Sequence, residues 1–192
     1  MGATLDVNIV SRNSININKI LMLIEKNFNL KISVDEIEII DDWEYSNAMY
    51  ILKIDNIYKY IEENKIANIQ LNANNQFRMG FQIEKENSIY LTNLWIDTEK
   101  LQQLDSNCIM ANNELFYNKL IDIILELSNM YEIIISSIGV ETTLEYTEVL
   151  ENTIGESENI NMWFINDKSL KSIEGFEMKE VTDRFNIFKR LK

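Results

Sequence analysis

Carboxylates are the reactive groups this sequence supplies in quantity: 31 Asp and Glu stand against 18 Lys and Arg, and histidine is absent. Two suitably placed acids are enough for glycoside hydrolysis, and oxygen ligands alone can hold Mg²⁺ or Ca²⁺. With this many acids some neighbouring pair is inevitable, so no pair stands out as catalytic. The missing imidazole removes Ser-His-Asp and Cys-His nucleophiles and every zinc site that uses histidine. A single cysteine, Cys108, beside Ile109 and Met110, reads as a buried thiol and allows no intrachain disulfide. Five glycines (Gly2, Gly80, Gly139, Gly155, Gly175) are scattered singly, whereas phosphate-cradling loops need them clustered. The expectation is a chain without catalytic residues, metal or cofactor.

Two acidic segments remain as candidate binding sites. In the first, Asp35, Glu36, Glu38, Asp41, Asp42 and Glu44 fall within ten residues without a base, and Asp41-Asp42-Trp43-Glu44-Tyr45 sets two aromatics among the charges. Aromatic anchors ringed by carboxylates suit a binding hot spot for a basic protein; the alternative is that Trp43 and Tyr45 tuck into the core. The second segment is expected to be a helix over Thr142–Thr153, with Glu141, Glu145 and Glu148 on one face at i, i+4, i+7 and Glu151 beside them. Like charges at that spacing repel by about 0.2–0.5 kcal/mol per pair, and no Lys or Arg occurs from 141 to 160 to relieve them. Such a stripe is either a docking face or an ordinary solvated one.

The net charge of −13 is uneven: residues 168–192 hold seven Lys/Arg against four Asp/Glu, leaving 11 against 27 elsewhere. A field of that sign repels phosphate backbones and anionic membranes and attracts basic partners. Apolar runs such as Ile20–Ile24 fall far short of the ~20 residues of a bilayer span. Asp6 comes early with no apolar leader, and a cytosolic protein is expected.

The elements that must position these residues follow from periodicity. Strands are expected at Thr4–Val10, at Lys31–Ile40 (where a capping-box pattern competes with β-branched content) and at Ala48–Ile54. A meander follows: Ala67–Asn72, Phe77–Glu84 and Ser88–Ile96, with turns at Ala73-Asn74-Asn75 and Lys85-Glu86-Asn87. Its middle strand alternates Phe77, Met79, Phe81, Ile83 against Arg78, Gly80, Gln82, Glu84, as a sheet with one wet face requires. Helices are expected from the stripe Ile17, Ile20, Leu21, Ile24, Phe28, at Asn56–Glu63, at the strongly apolar Asn113–Asn129 and at Asp167–Ile173. The remaining strands are Glu132–Gly139, Ile160–Ile165, Phe176–Val181 and Phe185–Leu191. In the last, Arg184, Lys189, Arg190 and Lys192 alternate with apolar residues, as in a charged edge strand. Trp95 and Trp163 lie in strand patterns and are expected in the core. The segment Asn93-Leu94-Trp95-Ile96-Asp97, Leu101, Leu104-Asp105 echoes Asn161-Met162-Trp163-Phe164-Ile165-Asn166, Leu170, Ile173-Glu174, as two strand–turn–helix units. The chain thus reads as one α+β domain over residues 1–192, a mostly antiparallel or mixed sheet packed against several helices.

In this character the chain resembles the immunity proteins that bacteria make against toxins. The two acidic segments carry the resemblance and, more loosely, the ending Trp163-Phe164-Ile165, Leu170, Phe176, Phe185 and Phe188. It implies a non-catalytic protein that neutralises a basic protein partner, a cognate toxin, through complementary charge, with no nucleic acid or membrane involved. An acidic mimic of nucleic acid and a carboxylate-dependent hydrolase stay open as alternatives.

Overall fold

The computed structural model describes residues 3–73, 77–99, 109 and 113–191. Ten strands form one sheet: β1 (Thr4–Ser11), β2 (Ser33–Ile40), β3 (Met49–Tyr50), β4 (Ile66–Ala73), β5 (Phe77–Glu86), β6 (Ile89–Asp97), β7 (Ile133–Thr143), β8 (Glu158–Ile165), β9 (Phe176–Val181) and β10 (Asn186–Arg190). Their order is β3-β2-β4-β5-β6-β1-β7-β8-β10-β9, and every pair is antiparallel. Helices α1 (Ile17–Phe28), α2 (Ile57–Glu62), α3 (Glu114–Ser128) and α4 (Leu150–Glu156), with a 3-10 turn at Ile54–Asn56 leading into α2, complete the described elements. The architecture is α+β with an antiparallel sheet against helices, as the sequence indicates. No helix among the described residues is long and apolar enough to cross a membrane.

Period-2 alternation decides which face each residue serves. Leu5, Val7 and Ile9 of β1, Ile69 and Leu71 of β4, Phe81 and Ile83 of β5 and Leu94 and Ile96 of β6 share one buried cluster with Ile17, Ile20 and Ile24 of α1 and Leu120, Ile123 and Ile124 of α3. The two long helices also meet each other: the Phe28 and Phe116 rings lie 4.8 Å apart, and Lys26 pairs with Glu126 at 2.9 Å. Asn16 precedes α1 without a side-chain cap. Instead the hydroxyls of Tyr58 and Tyr131 accept the N–H groups of Ile17 (2.8 Å) and Asn16 (3.2 Å), meeting the need of a helix start for acceptors. Asn29 ends the helix at φ 54°, the left-handed geometry asparagine tolerates.

The opposite face is covered only at one end. There Val10, Ile89, Ile135, Ile160, Trp163, Ile165 and Phe188 pack under Leu144, Tyr146, Leu150 and Ile154 of the β7–β8 connection and under Leu170 and Ile173. Among the described residues no helix packs on this face towards β2, where it buries Ile40 and Ile66 at the ends of β2 and β4 and is otherwise polar.

Several expectations shift. The helix expected over Thr142–Thr153 forms only in its last part: β7 runs on to Thr143, residues 144–149 are irregular, and α4 starts at Leu150. The β-branched Thr142, Thr143, Thr147 and Val149 disfavour the helix. Thr147 and Thr153 fix its late start by exchanging bonds, Thr147 N–H to Thr153 Oγ1 (2.9 Å) and Thr153 Oγ1 to Thr147 O (3.0 Å). Asp167–Ile173 is not helical either. Asn186 Nδ2 donates to the Leu170 carbonyl at 2.8 Å, and Lys171 Nζ donates to the Lys168 carbonyl, which a helix would have bonded to the Ser172 N–H. So the second strand–turn unit of the internal echo has no helix, and Leu101, Leu104 and Asp105 of the first lie outside the described residues, as do Cys108, Met110 and Asn74 and Asn75 of the first expected turn, whose Ala73 ends β4. The Ala48–Ile54 strand shrinks to Met49–Tyr50. Lys85 and Glu86 belong to β5, which moves that turn to Asn87-Ser88. Finally, β10 sits inside the sheet and β9 is the edge. Trp163 is buried as expected, whereas Trp95 is only partly so and lies over Gly80, its cross-strand partner on β5.

Candidate functional site

On the open face one transverse row of paired positions is polar across six strands: Glu38 (β2), Asn68 (β4), Gln82 (β5), Asn93 (β6), Asn8 (β1) and Ser137 (β7). The row then becomes apolar at Trp163 and Phe188. Its centre is knitted together. Asn93 Nδ2 donates to Asn8 Oδ1 (2.9 Å), and Asn8 Nδ2 donates to Thr142 Oγ1 (2.7 Å) and Ser137 Oγ (3.2 Å). Two residues along the strand, Asp6 is 5% exposed and has no cation partner among the described residues; its Oδ2 accepts the Thr142 N–H (2.9 Å) and the Thr4 hydroxyl (3.2 Å). Burial pushes the Asp6 carboxyl above the usual carboxylate range, against those bonds and one from Asn93.

Thr142 reaches this network because β7 and β8 are out of step. Gly139 pairs with Ile160 and Thr143 with Glu158, so Val140, Glu141 and Thr142 bulge against Asn159 alone. Glu141 (φ 49°) and Asn159 (φ 59°) absorb the turn in left-handed backbone, and Asn159 Nδ2 ties to the Glu141 carbonyl at 3.2 Å. Bulges of this kind re-aim a side chain; here two groups of Thr142 are turned onto the polar floor.

Above that floor lies a cleft of ≈ 310 Å³, floored by Asn8, Gln82, Asn93 and Leu91 and walled by Trp43 and Glu84 together with Thr142, Leu144 and Glu145. Two of its lining residues are acids and none is basic. Trp43 arrives on the β2–β3 loop, where its indole N–H bonds to Glu84; burial raises the Glu84 carboxyl while that bond lowers it. The loop is built by its own acids. Asp42 Oδ1 accepts the N–H groups of Glu44 (2.9 Å) and Ser46 (3.2 Å). Asp41 takes Lys65 at 2.6 Å and Asn47 Nδ2 at 2.7 Å, and these partners hold its carboxyl below the usual range. Tyr45 and Asn47 sit at positive φ.

The sequence-predicted residues therefore divide. Trp43 and Glu145, 102 positions apart in the chain, line the same cleft. Asp41 and Asp42 hold the loop that carries Trp43, while Glu44 is exposed on it. Trp43 and Tyr45 are 49% and 53% exposed, so they are not core residues. The glutamate stripe does not exist: Glu141 lies in the β7 bulge, Glu145 faces the cleft, and Glu148 borders a separate pocket beside Arg12, Glu132 and Tyr146. Periodicity missed Asp6, Asn8, Asn93 and Thr142. Their one sequence signal is a polar residue at alternate positions of strands that are otherwise strongly apolar. Comparison of the chain with family models, with curated proteins and with solved structures found no match.

Proposed function

We propose that this chain is a non-catalytic binding protein that neutralises a basic protein partner, as a toxin-immunity protein does, and that the partner docks on the open sheet face. The observation that carries this reading is the meeting of Trp43 from the first acidic segment and Glu145 from the second in one cleft with acidic and no basic lining, with Tyr45 half-exposed on the Trp43 loop. Half-exposed aromatics on a loop fixed by its own hydrogen bonds are pre-organised anchors, which cost little ordering entropy on binding. The surrounding charge of −13 steers a cationic partner and rejects polyanions. Met49, Tyr50 and Leu52 continue the exposed apolar surface along the same segment.

The test is to express the toxin-sized product of a reading frame adjacent to the gene and titrate it with this chain. Expected are a stoichiometric complex, loss of toxicity on co-expression, and association that slows at least about tenfold between low and physiological salt. A neighbouring product that never binds, or binds independently of salt and of Trp43, contradicts the proposal.

A further inference from the structure

We infer that the cleft between Trp43 and Glu145 is a receptor for one arginine side chain presented by the partner protein; this rests on the reading of the chain as a binder of a basic protein. The cleft, at ≈ 310 Å³, stands at the small end of the roughly 300–1,000 Å³ of ligand pockets. It admits one side chain and no folded element. Its chemistry is one-sided. Glu84 and Glu145 supply carboxylates, and Gln82, Asn8 and Asn93 supply carboxamides. Both amide hydrogens of Asn93 are already committed, one to Asn8 and one to Asp6, which leaves its carbonyl as the group it can offer. Trp43 lines the cleft with its indole N–H held by Glu84, and an indole is the aromatic ring that attracts a cation most strongly.

The mixture of carboxylate, carboxamide and indole, rather than their spread, favours guanidinium over ammonium. Glu84 stands on β5 and Glu145 just beyond β7, with β6 and β1 between them in the sheet, and neighbouring strands lie about 4.8 Å apart. Three such spacings are about 14 Å, so a cation in the cleft meets one carboxylate directly and feels the other through the field. A planar fork with five donors meets carboxylate and carboxamide together while stacking on indole, and it is more weakly hydrated than ammonium. Leu91 and Leu144 suit the methylene stem of the same side chain.

The probe is N-acetyl-arginine amide, titrated into the full chain and followed by ¹⁵N-resolved NMR. Saturable shifts are expected at the Trp43 indole N–H and at the Asn8, Gln82 and Asn93 carboxamides, with the lysine and norleucine analogues at least about fivefold weaker. Glu84→Gln and Glu145→Gln are each expected to weaken the arginine probe at least about threefold, while Glu148→Gln, outside the cleft, leaves it unchanged. Trp43→Phe, which keeps a ring but no N–H, is a second check, expected to bind more weakly without loss of fold. Shifts elsewhere only, equal affinity for norleucine, or indifference to both glutamates overturns the inference. If the probe fails while a basic partner still binds through Trp43, the inference falls and the proposed function stands. If the probe binds and no basic partner does, the cleft's selectivity for arginine stands, while the proposed function and the partner-borne arginine fall.

Discussion

Replacing Gly139 by alanine tests the geometry that builds the site. A Cβ at Gly139 would stand 2.1 Å from the Asn159 carbonyl oxygen and 2.5 Å from Thr142 Cγ2, where ordinary contact begins at 3.4 Å. The first neighbour is backbone and has no rotamer to escape into, so β8 must retreat by about 1 Å or the bulge must open. Overpacking of this kind costs typically ~1–3 kcal/mol, and an unyielding backbone puts this case at about 3. For a chain of this size each kcal/mol moves the melting temperature by roughly 2–4 °C, so a fall of about 6–12 °C is expected. Gly155 is the control, because a Cβ there meets nothing within 4 Å and it lies within α4. Gly155→Ala should raise stability by up to ~1 kcal/mol, the helix-propensity gain. Calorimetry reads both variants. In Gly139→Ala the Asn8 carboxamide resonances should also move, because Thr142 Oγ1 leaves Asn8 Nδ2. Equal small effects from the two substitutions would refute the close β7–β8 approach and the bulge that depends on it.

Three further outcomes follow from the same face. Burial raises the Asp6 carboxyl, so between its unfolded and folded pKa the native state holds more protons than the unfolded chain, and this residue's contribution to stability falls as pH rises through that window. Urea titrations from about pH 4 to 7 should therefore show a flatter slope for Asp6→Asn than for the parent, and an unchanged slope would exclude the buried carboxylic acid. Asp42→Ala removes the acceptor for two loop N–H groups, costing about 1 kcal/mol and loosening the Trp43 loop. Asp42→Asn keeps an acceptor in place, and its melting temperature should stay near the parent's.

The stripe of α1, the meander β4–β5–β6 and the strands β1, β8 and β9 were legible because each pattern is periodic and bounded by turn residues. The helix expected over Thr142–Thr153 failed in its first part for an identifiable reason. Its carboxylate spacing fits a helix, but four β-branched residues and the pairing of β7 with β8 outweigh a spacing that contributes only tenths of a kcal/mol. The Trp43 loop was recognisable as a candidate from composition alone. Its meeting with Glu145 was not, since that contact depends on the sheet order and on the β7 bulge, both long-range products of packing. Asp6 and Asn8 stayed hidden because alternation places them on a wet face, whereas Thr142 and the segment after it fold back to bury them to 5% and 7% exposure.

The central claim is that the open face, anchored by Trp43, holds a basic protein partner. With Trp43 about half buried, roughly 100 Å² of apolar surface is at stake, an upper bound of ~2.5 kcal/mol on its part in folding. The deciding measurement is the dissociation constant of the partner complex for the parent and for Trp43→Ala, each taken with its unfolding free energy. Affinity lost at least about 30-fold in a variant that remains folded is the expected result. Unchanged affinity in a folded Trp43→Ala protein would contradict the claim.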